Sequence, residues 1–188
     1  MHTHLQKING FLKELDPDTT SFLGNISTQK TFKKGEYLLR ENDTCKHSFW
    51  VENGILRKFF LLDGKEKTTD LIFENEIAVS FESYVLHKPG IENIQALTDT
   101  TVAQTDYHAF QQAKKLYPKL IELDLMLTEY YTLWLEKRFF ELTTLDAESR
   151  YKLLLHEQPH VIQQVALTHI ASYLGISLET LSRIRARR

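Results

Sequence analysis

Cysteine is almost absent from this sequence: Cys45 is the only one among its 188 residues. One thiol excludes a disulfide framework, and also any all-cysteine zinc or iron–sulfur site within one chain. Long apolar runs are absent too, and the N-terminal MHTHLQKINGFLKEL lacks the apolar core of a signal peptide. We therefore expect a cytoplasmic protein with no membrane partner.

A strong excess of charge of either sign is also missing. Hydrophobic residues make up 42% and charged residues 26% of the chain, and its formal net charge is -2. This balance is typical of a globular protein and excludes nucleic-acid binding through overall positive charge. Basic residues concentrate at the C-terminus, where Arg183, Arg185, Arg187 and Arg188 face only Glu179. Such a patch indicates one localised anionic partner, although a solvated basic tail has the same composition.

Residues 31–106 have the pattern of short strands. Segments such as FKKGEYLLREND and HSFWVENGILRKFF alternate apolar and polar residues and are rich in β-branched and aromatic types. Turn signals interrupt them, among them Asn53-Gly54 and Asp63-Gly64, which supply the positive φ angles of tight hairpins. This pattern predicts a small antiparallel barrel or sandwich, with a helical stretch over Ile8–Leu23 capping one end.

A long helix is predicted from Pro118 to about Leu142, because this stretch has no glycine and its proline lies in the first turn. It carries two apolar faces, and a helix of this kind must be covered on both sides. We expect one face to pack on the β domain and the other on a second copy of the chain, unless the helix is buried wholly within its monomer. The near-heptad face predicted as the dimer seam contains Leu120, Leu127, Tyr131 and Trp134.

The segment THIASYLGISLETLSRI, residues 168–184, has the parts of a helix-turn-helix. Ala171 is small enough to let a second helix approach, and Gly175 suits the left-handed residue that ends the first helix. Ser177 stands where its hydroxyl can cap the second helix. Two helices that share a core in this way are predicted to present the second one to DNA, whereas a generic three-helix interaction domain is the alternative.

The outward face of that second helix carries side chains suited to DNA. Glu179 can accept a hydrogen bond from cytosine, and Arg183 can clasp the edge of guanine. Phosphate contacts would come from the Ser177 hydroxyl and the neighbouring arginines. The predicted DNA-binding set is Ser177, Glu179, Thr180, Ser182, Arg183, Arg185, Arg187 and Arg188.

The segment VALTHIASYLGISLETLSRIRARR, following ESRYKLLL, resembles the C-terminal helix-turn-helix of the Crp/Fnr family, in particular a short branch common in Bacteroidetes-type bacteria. In that family the Glu and Arg of a Ser-x-Glu-Thr-x-x-Arg pattern read bases. Leu178 stands here where another arginine is frequent, which implies a different preferred site. The upstream segments KKGEYLLREND, FWVENGILRKFF and NIQALTDTTV look like the cyclic-nucleotide-binding β-roll of the same family.

The resemblance implies an effector pocket, but the phosphate-binding residues of members that bind cAMP are missing. Those members use a Gly-Glu and an Arg-Ser or Arg-Thr pair, and no arginine occurs here between Arg57 and Arg138. A buried phosphate without a guanidinium loses its charge-assisted hydrogen bonds, so cAMP as a cofactor is disfavoured. The residues left for an altered pocket are Glu82, Lys88, Gly90 and Asn93, and the effector itself stays unknown.

Other chemistries find little support in the sequence. Haem would need an axial ligand such as His47, His87 or His108, and a single histidine is more often structural. A cupin-like metalloenzyme would need His-x-His with further ligands on the barrel strands, a cluster that is absent. We predict no catalytic residues and no metal site.

The predicted fold is α+β: an N-terminal antiparallel β-roll resembling a jelly roll, a long dimerisation helix and a C-terminal helix-turn-helix. The expected domains are residues 1–117, 118–143 and 144–188. The predicted function is a homodimeric transcription regulator that binds double-stranded DNA. The alternative is a cyclic-nucleotide or other ligand sensor whose helical tail contacts a protein.

Overall fold

The computed structural model describes residues 2–187 and has the predicted α+β class. The strands are β1 (Ser27–Phe32), β2 (Tyr37–Leu39), β3 (His47–Asn53), β4 (Leu56–Leu62), β5 (Lys65–Ile72), β6 (Ile77–Ala78), β7 (Glu92–Ala96) and β8 (Thr100–Asp106). The helices are α1 (His2–Lys13), α2 (Pro17–Ile26), α3 (Phe81–Leu86), α4 (Tyr107–Leu116), α5 (Lys119–Thr144), α6 (Ala147–Glu157), α7 (Val161–Gln164), α8 (Leu167–Tyr173) and α9 (Leu178–Ala186).

The strands form two antiparallel sheets in the orders β1-β8-β3-β6 and β2-β7-β4-β5. Alternation along β3 turns Phe49 and Val51 into the space between the sheets, where they meet Leu56 and Ile94 from the opposite sheet. Burying one face of each sheet in this way supplies the main stabilisation of the β-roll. The antiparallel sandwich predicted from the alternation is thus confirmed.

The predicted hairpin turns carry the backbone angles that their sequences indicate. Gly54 links β3 to β4 with φ of 99°, and Asp63 and Gly64 link β4 to β5 with φ of 52° and 72°. A Cβ at Gly54 would come within 2.5 Å of the Thr100 Oγ1 atom, so glycine is required there for space as well as for conformation.

The N-terminal stretch predicted as one helical element is two helices. Asp16 and Pro17 break it, because Asp16 caps α2 by accepting a hydrogen bond from the Thr19 backbone N–H at 2.9 Å. Both helices pack with α4 and α5 around a second core outside the β1-β8-β3-β6 sheet, which includes Ile8 and Trp50. The sandwich is therefore covered by helices on this side.

Helix α5 follows Pro118 and continues for 26 residues to Thr144. Asp146 then caps α6 by accepting from the Ser149 N–H at 2.8 Å, as its acidic start predicted. No helix within the described residues is long and apolar enough to cross a membrane.

The C-terminal helices form the predicted helix-turn-helix. Gly175 lies between α8 and α9 with φ of +69°, and the Ile176 N–H donates to the Ala171 carbonyl at 3.0 Å, which closes the end of α8. Ala171 is only 3% exposed, so a larger side chain would separate the two helices.

Two glycine-to-alanine substitutions should change stability in opposite directions. Gly175→Ala leaves only ordinary contact with Leu142 but forces an L-residue to positive φ, so it should lower the free energy of unfolding by about 1–2 kcal/mol. Gly10→Ala lies inside α1 with open space around its Cβ and should raise it by about 0.5–1 kcal/mol. Thermal or urea unfolding followed by circular dichroism measures both, and a neutral Gly175→Ala would contradict the turn geometry.

Candidate nucleic-acid interface and effector region

Helix α9 begins with a side-chain cap. The Ser177 hydroxyl accepts a hydrogen bond from the Thr180 N–H at 3.1 Å, and Arg183 Nη2 donates to Thr180 Oγ1 at 3.1 Å. This chain of contacts orders the first turn of the helix and holds Arg183 along its outer face.

Most of the predicted DNA-binding side chains are displayed on one solvent-facing surface. Thr180 is half-buried, and Arg188 lies outside the described residues. The exposed members of the set are Ser177, Glu179, Ser182, Arg183, Arg185 and Arg187.

The Glu179 carboxyl is held in its charged form. Its own backbone N–H and the Ser177 hydroxyl lower the pKa of Glu179 below its usual range, and the positive charge of Arg183 adds to this. A charged carboxylate accepts hydrogen bonds only, so at neutral pH Glu179 can recognise a donor such as a cytosine amino group.

The face of α9 opposite the solvent is anchored in an apolar core. Leu181 is fully buried and packs with Ile170 of α8 and with Leu174, the residue that follows α8, while α6 supplies Tyr151 and Leu154. The spacing of these residues in the sequence predicted this shared core. Since the inner face is fully used, the outward direction of the polar face is fixed.

Two arginines hold the C-terminal end of α8. Arg138 of α5 donates through Nη2 to the Tyr173 carbonyl and stacks over the Tyr173 ring, and Arg150 of α6 donates through Nε to the Leu174 carbonyl at 3.0 Å. Carbonyls at a helix end lack partners within the helix, and cations there also match the helix dipole. The helix-turn-helix is therefore tied directly to the long helix.

The β4–β5 hairpin holds α8 from the other side. The Ser172 hydroxyl accepts from the Thr68 N–H at 2.9 Å and donates to the Glu66 carbonyl at 3.1 Å. Arg57, 1% exposed, brings Nη1 to 2.7 Å from the Glu66 carboxylate and to 2.6 Å from Nδ1 of His169. Burial and the Arg57 charge lower the pKa of His169, so its ring accepts this contact in the neutral form.

The residues predicted for an altered effector pocket are engaged by other groups of the protein. Lys88 and Glu82 form an exposed pair with Nζ to Oε1 at 2.6 Å. The Gly90 N–H donates to the Asp43 carbonyl at 3.1 Å and is not free for a phosphate.

Asn93 is likewise occupied, because its Oδ1 accepts from the Glu41 N–H at 3.1 Å. The pocket predicted from Glu82, Lys88, Gly90 and Asn93 therefore stays a prediction. Each of these groups already has a protein partner.

A buried charged cluster, defined here as Lys58, Asp70 and Glu92, lies where β4, β5 and β7 meet α5. Lys58 is 3% exposed with Nζ at 3.7 Å from Glu92 Oε1, and Glu92 Oε2 accepts from the Ser80 hydroxyl at 2.6 Å. Burial opposes the Lys58 charge, but Glu92 and Asp70 outweigh it and raise the pKa of Lys58. Burial raises the pKa of Asp70 to about 6, against the effect of Lys58 and Arg138.

Sequence reasoning missed this cluster, although two adjacent cations in the otherwise apolar strand LRKFFLL were a signal for it. Alternation sends Arg57 and Lys58 to opposite faces, and both are buried. Arg57 is engaged by the hairpin and Arg138 by α8, so neither guanidinium is free to hold a phosphate in this region. Within residues 2–187 no three His, Cys, Asp or Glu side chains are placed to hold a metal ion.

The predicted dimer seam also has to be corrected. Leu120 is fully buried against α1 and α4, and Leu127 packs in the same core. Tyr131 stacks on Phe81 of α3 at 4.9 Å, with Trp134 stacked on Tyr131. This face of α5 belongs to its own monomer.

A neighbouring face of α5, offset by one residue from the predicted seam, is exposed and has heptad spacing. Both faces are apolar, and the sequence alone did not show which one the sandwich covers. The exposed face, called the α5 seam below, consists of Ile121, Leu125, Thr128, Thr132, Leu135, Phe139 and Leu142.

Known proteins with a similar sequence or fold share this architecture. Residues 29–117 match the cyclic nucleotide-binding domain family. Transcriptional activator protein Anr of Pseudomonas aeruginosa is 24% identical over 180 residues, covering 86% of this chain and 70% of that protein. FixK2 from Bradyrhizobium japonicum superposes with a TM-score of 0.74 at 19% identity, over 86% of this chain and 84% of that one. CLP, a c-di-GMP-responsive global regulator of Xanthomonas campestris, superposes with a TM-score of 0.73 at 16% identity, over 92% of this chain and 91% of that one.

A cyclic-nucleotide-binding β-roll, a long helix and a helix-turn-helix together define a transcription regulator with a sensor domain. Over most of its length the chain is similar to transcription regulators of Crp/Fnr type, in agreement with the resemblance seen in its motifs.

Cyclic AMP and cyclic GMP should not stabilise this protein. A cyclic phosphate near the buried charged cluster would meet two carboxylates and no free guanidinium. A ligand at 100 times its dissociation constant adds about 2.7 kcal/mol of stability, which raises the melting temperature by several degrees in a chain of this size. Differential scanning fluorimetry with millimolar nucleotide should show no shift, whereas a saturable rise at micromolar nucleotide would show that the cluster opens to admit it.

Proposed function

We propose that the protein is a homodimeric, sequence-specific DNA-binding regulator that places α9 in the major groove. The observation that carries this is the capped, solvent-facing surface of α9, which displays Glu179, Ser182 and Arg183 while Leu181 anchors the opposite face. A helix held in this way presents base-reading groups at its N-terminal end, as major-groove recognition requires. The positive charges that follow, Arg185 and Arg187, are suited to phosphates.

Dimerisation through the α5 seam supports the two-fold arrangement. Leu135, Phe139 and Leu142 are 45%, 71% and 44% exposed, a concentration of apolar surface that a lone helix in water does not stabilise. The hydroxyls of Thr128 and Thr132 donate to carbonyls one turn back, each at 2.9 Å, which leaves their methyl groups for the partner. The 4-3 spacing of the seam is the pattern of a two-stranded coiled coil.

The sensor region in this proposal is an altered one, because the charged cluster would offer a phosphate two carboxylates and no free guanidinium. We propose residues 1–117 as the sensor domain, 118–143 as the dimer helix and 144–188 as the DNA-binding domain. The connection between them is physical, since Arg138 of the dimer helix donates to the end of α8.

Arg183→Ala should lower affinity for the selected operator by about 1–3 kcal/mol and relax base preference at one position per half-site, because a bidentate base contact is lost. Arg185→Ala, on the same exposed helix, is the control and should weaken binding to all sequences about equally. Operators are first selected from random duplexes, and affinities are then measured by fluorescence anisotropy at several salt concentrations. Wild-type affinity in Arg183→Ala would show that α9 is not the reading helix, and a salt-independent interaction would point to a protein partner for the helical tail.

Leu135→Asp should convert the dimer to a monomer, because it places a charge in the apolar centre of the α5 seam. Leu133→Asp is a closely matched control: Leu133 is 46% exposed against 45% for Leu135 but lies outside the heptad seam. Sedimentation equilibrium distinguishes the two, and operator affinity should fall only in Leu135→Asp. An equal loss of dimer in both variants would place the interface elsewhere on α5.

A further inference from the structure

A cavity of about 330 Å³ lies on the outer face of the β1-β8-β3-β6 sheet, beneath α1, α2, α4 and α5. Its floor includes Trp50 of β3 and Ala103 of β8, and its far wall includes Leu123 and Leu127 of α5. The volume is at the lower end of the range of small-molecule sites in proteins.

The cavity is separate from the buried charged cluster. Strand β3 turns Phe49 and Val51 into the sandwich but Trp50 outward to the cavity. Phe81 and Tyr131 stack between the two regions, and Lys58 Nζ lies 5.3 Å from the centre of the Tyr131 ring on the cluster side.

The lining is mostly apolar and rich in aromatic rings. Phe110 and Tyr84 extend it, and burial raises the pKa of the Tyr84 hydroxyl to about 12, so this group stays neutral. An aromatic lining of this kind favours flat or aliphatic molecules through contact area, with a few polar groups to orient them.

The polar groups of the wall already have partners. Ser27 and Thr105 share a hydrogen bond of 2.8 Å between their hydroxyls, and Asp124 is paired with Lys114. None of the residues that line the cavity is a lysine or an arginine. An anionic ligand would therefore be desolvated without a cation to receive it.

We propose that this cavity binds an uncharged, predominantly apolar small molecule. The small volume, the aromatic walls and the lack of a lining cation all select that class over nucleotides and carboxylates. A hydroxyl on such a ligand can donate to the half-exposed Asp124 carboxylate, which has acceptor sites beyond the one that pairs with Lys114.

Helix α5 connects an occupant of the cavity to the proposed dimer. Leu123 and Leu127 face the cavity, while Leu125 and Leu135 lie on the α5 seam of the same helix. A ligand that presses on the first pair shifts the second, and with it the end of α8 that Arg138 holds. This consequence rests on the proposed function, whereas ligand binding in the cavity does not.

The test uses N-phenyl-1-naphthylamine, an uncharged fluorescent probe that brightens in apolar sites. We expect saturable binding to the wild-type protein with one probe per chain. Decanol should displace the probe, whereas decanoate, its anionic counterpart of the same length, should compete at least about tenfold more weakly. Equal competition by the two would overturn the proposal for an uncharged ligand.

Two variants locate the site. Ala103→Phe fills the floor and should weaken probe binding by about tenfold or more, whereas Ala109→Phe, the same change outside the lining, should leave it unaltered. Leu23→Trp fills the cavity from α2 and should have the same effect as Ala103→Phe, so a misfolded Ala103→Phe does not remove the test. Circular dichroism establishes which variants are folded.

Unchanged probe binding in a folded Ala103→Phe or Leu23→Trp variant would overturn the proposed site. Operator affinity of the wild-type protein without any ligand tests the proposed function independently. Loss of probe binding with intact operator affinity separates the cavity from the DNA-binding surface, and absence of both in a folded wild type would reject both proposals.

Discussion

The structure depends on a helix that has to be covered on both sides. One face of α5 buries Leu120, Leu123 and Tyr130 against the helices and sandwich of its own chain. The other carries an apolar seam that the monomer leaves exposed. A helix with this composition gains its stability from packing rather than from helix propensity. The monomer covers only one of its two apolar faces. The same helix donates from Arg138 to the end of α8, so one element links the proposed dimer interface to the helix-turn-helix.

The charged cluster and the apolar cavity lie on different sheets of the β-roll and have opposite polarity. The cluster belongs to the β2-β7-β4-β5 sheet, whereas the cavity lies on the outer face of the β1-β8-β3-β6 sheet. Between the sheets and α5, Lys58 is stabilised by carboxylates whose own burial costs energy, as the raised pKa of Asp70 shows. A group of this kind holds a defined arrangement of strands but leaves no positive charge for a phosphate. On the outer face of the β1-β8-β3-β6 sheet, the cavity has aromatic and aliphatic walls. In the proposed function, the β-roll architecture is kept while the chemistry of ligand recognition differs.

Much of the architecture could be predicted because local rules and tertiary structure agree. The Asn53-Gly54 and Asp63-Gly64 turns, the cap at Asp146 and the turn at Gly175 all depend on backbone preferences visible in the sequence. The predictions were wrong where one local sequence pattern is compatible with two tertiary arrangements. Both faces of α5 are apolar, and only packing on α1 and α4 distinguishes them. The hydrogen bonds that join Gly90 and Asn93 to distant loop residues could not be predicted either, because no spacing in the sequence reveals them.

The position of α9 follows from contacts on both sides of α8. Arg57, Glu66 and Ser172 hold it to the β4–β5 hairpin, whereas Arg138 and Arg150 hold it to α5 and α6. These contacts are hydrogen bonds and weaken steeply with distance and angle. A small displacement of α5 would therefore break several of them together rather than lengthen each one slightly. Arg57 is the most constrained of them, because it is buried with one nitrogen, Nε, lacking a partner among the described residues. A buried cation in that state favours any arrangement that keeps Glu66 and His169 beside it. The hairpin therefore biases α8 toward the position seen here, and a signal acting through α5 has to overcome that bias.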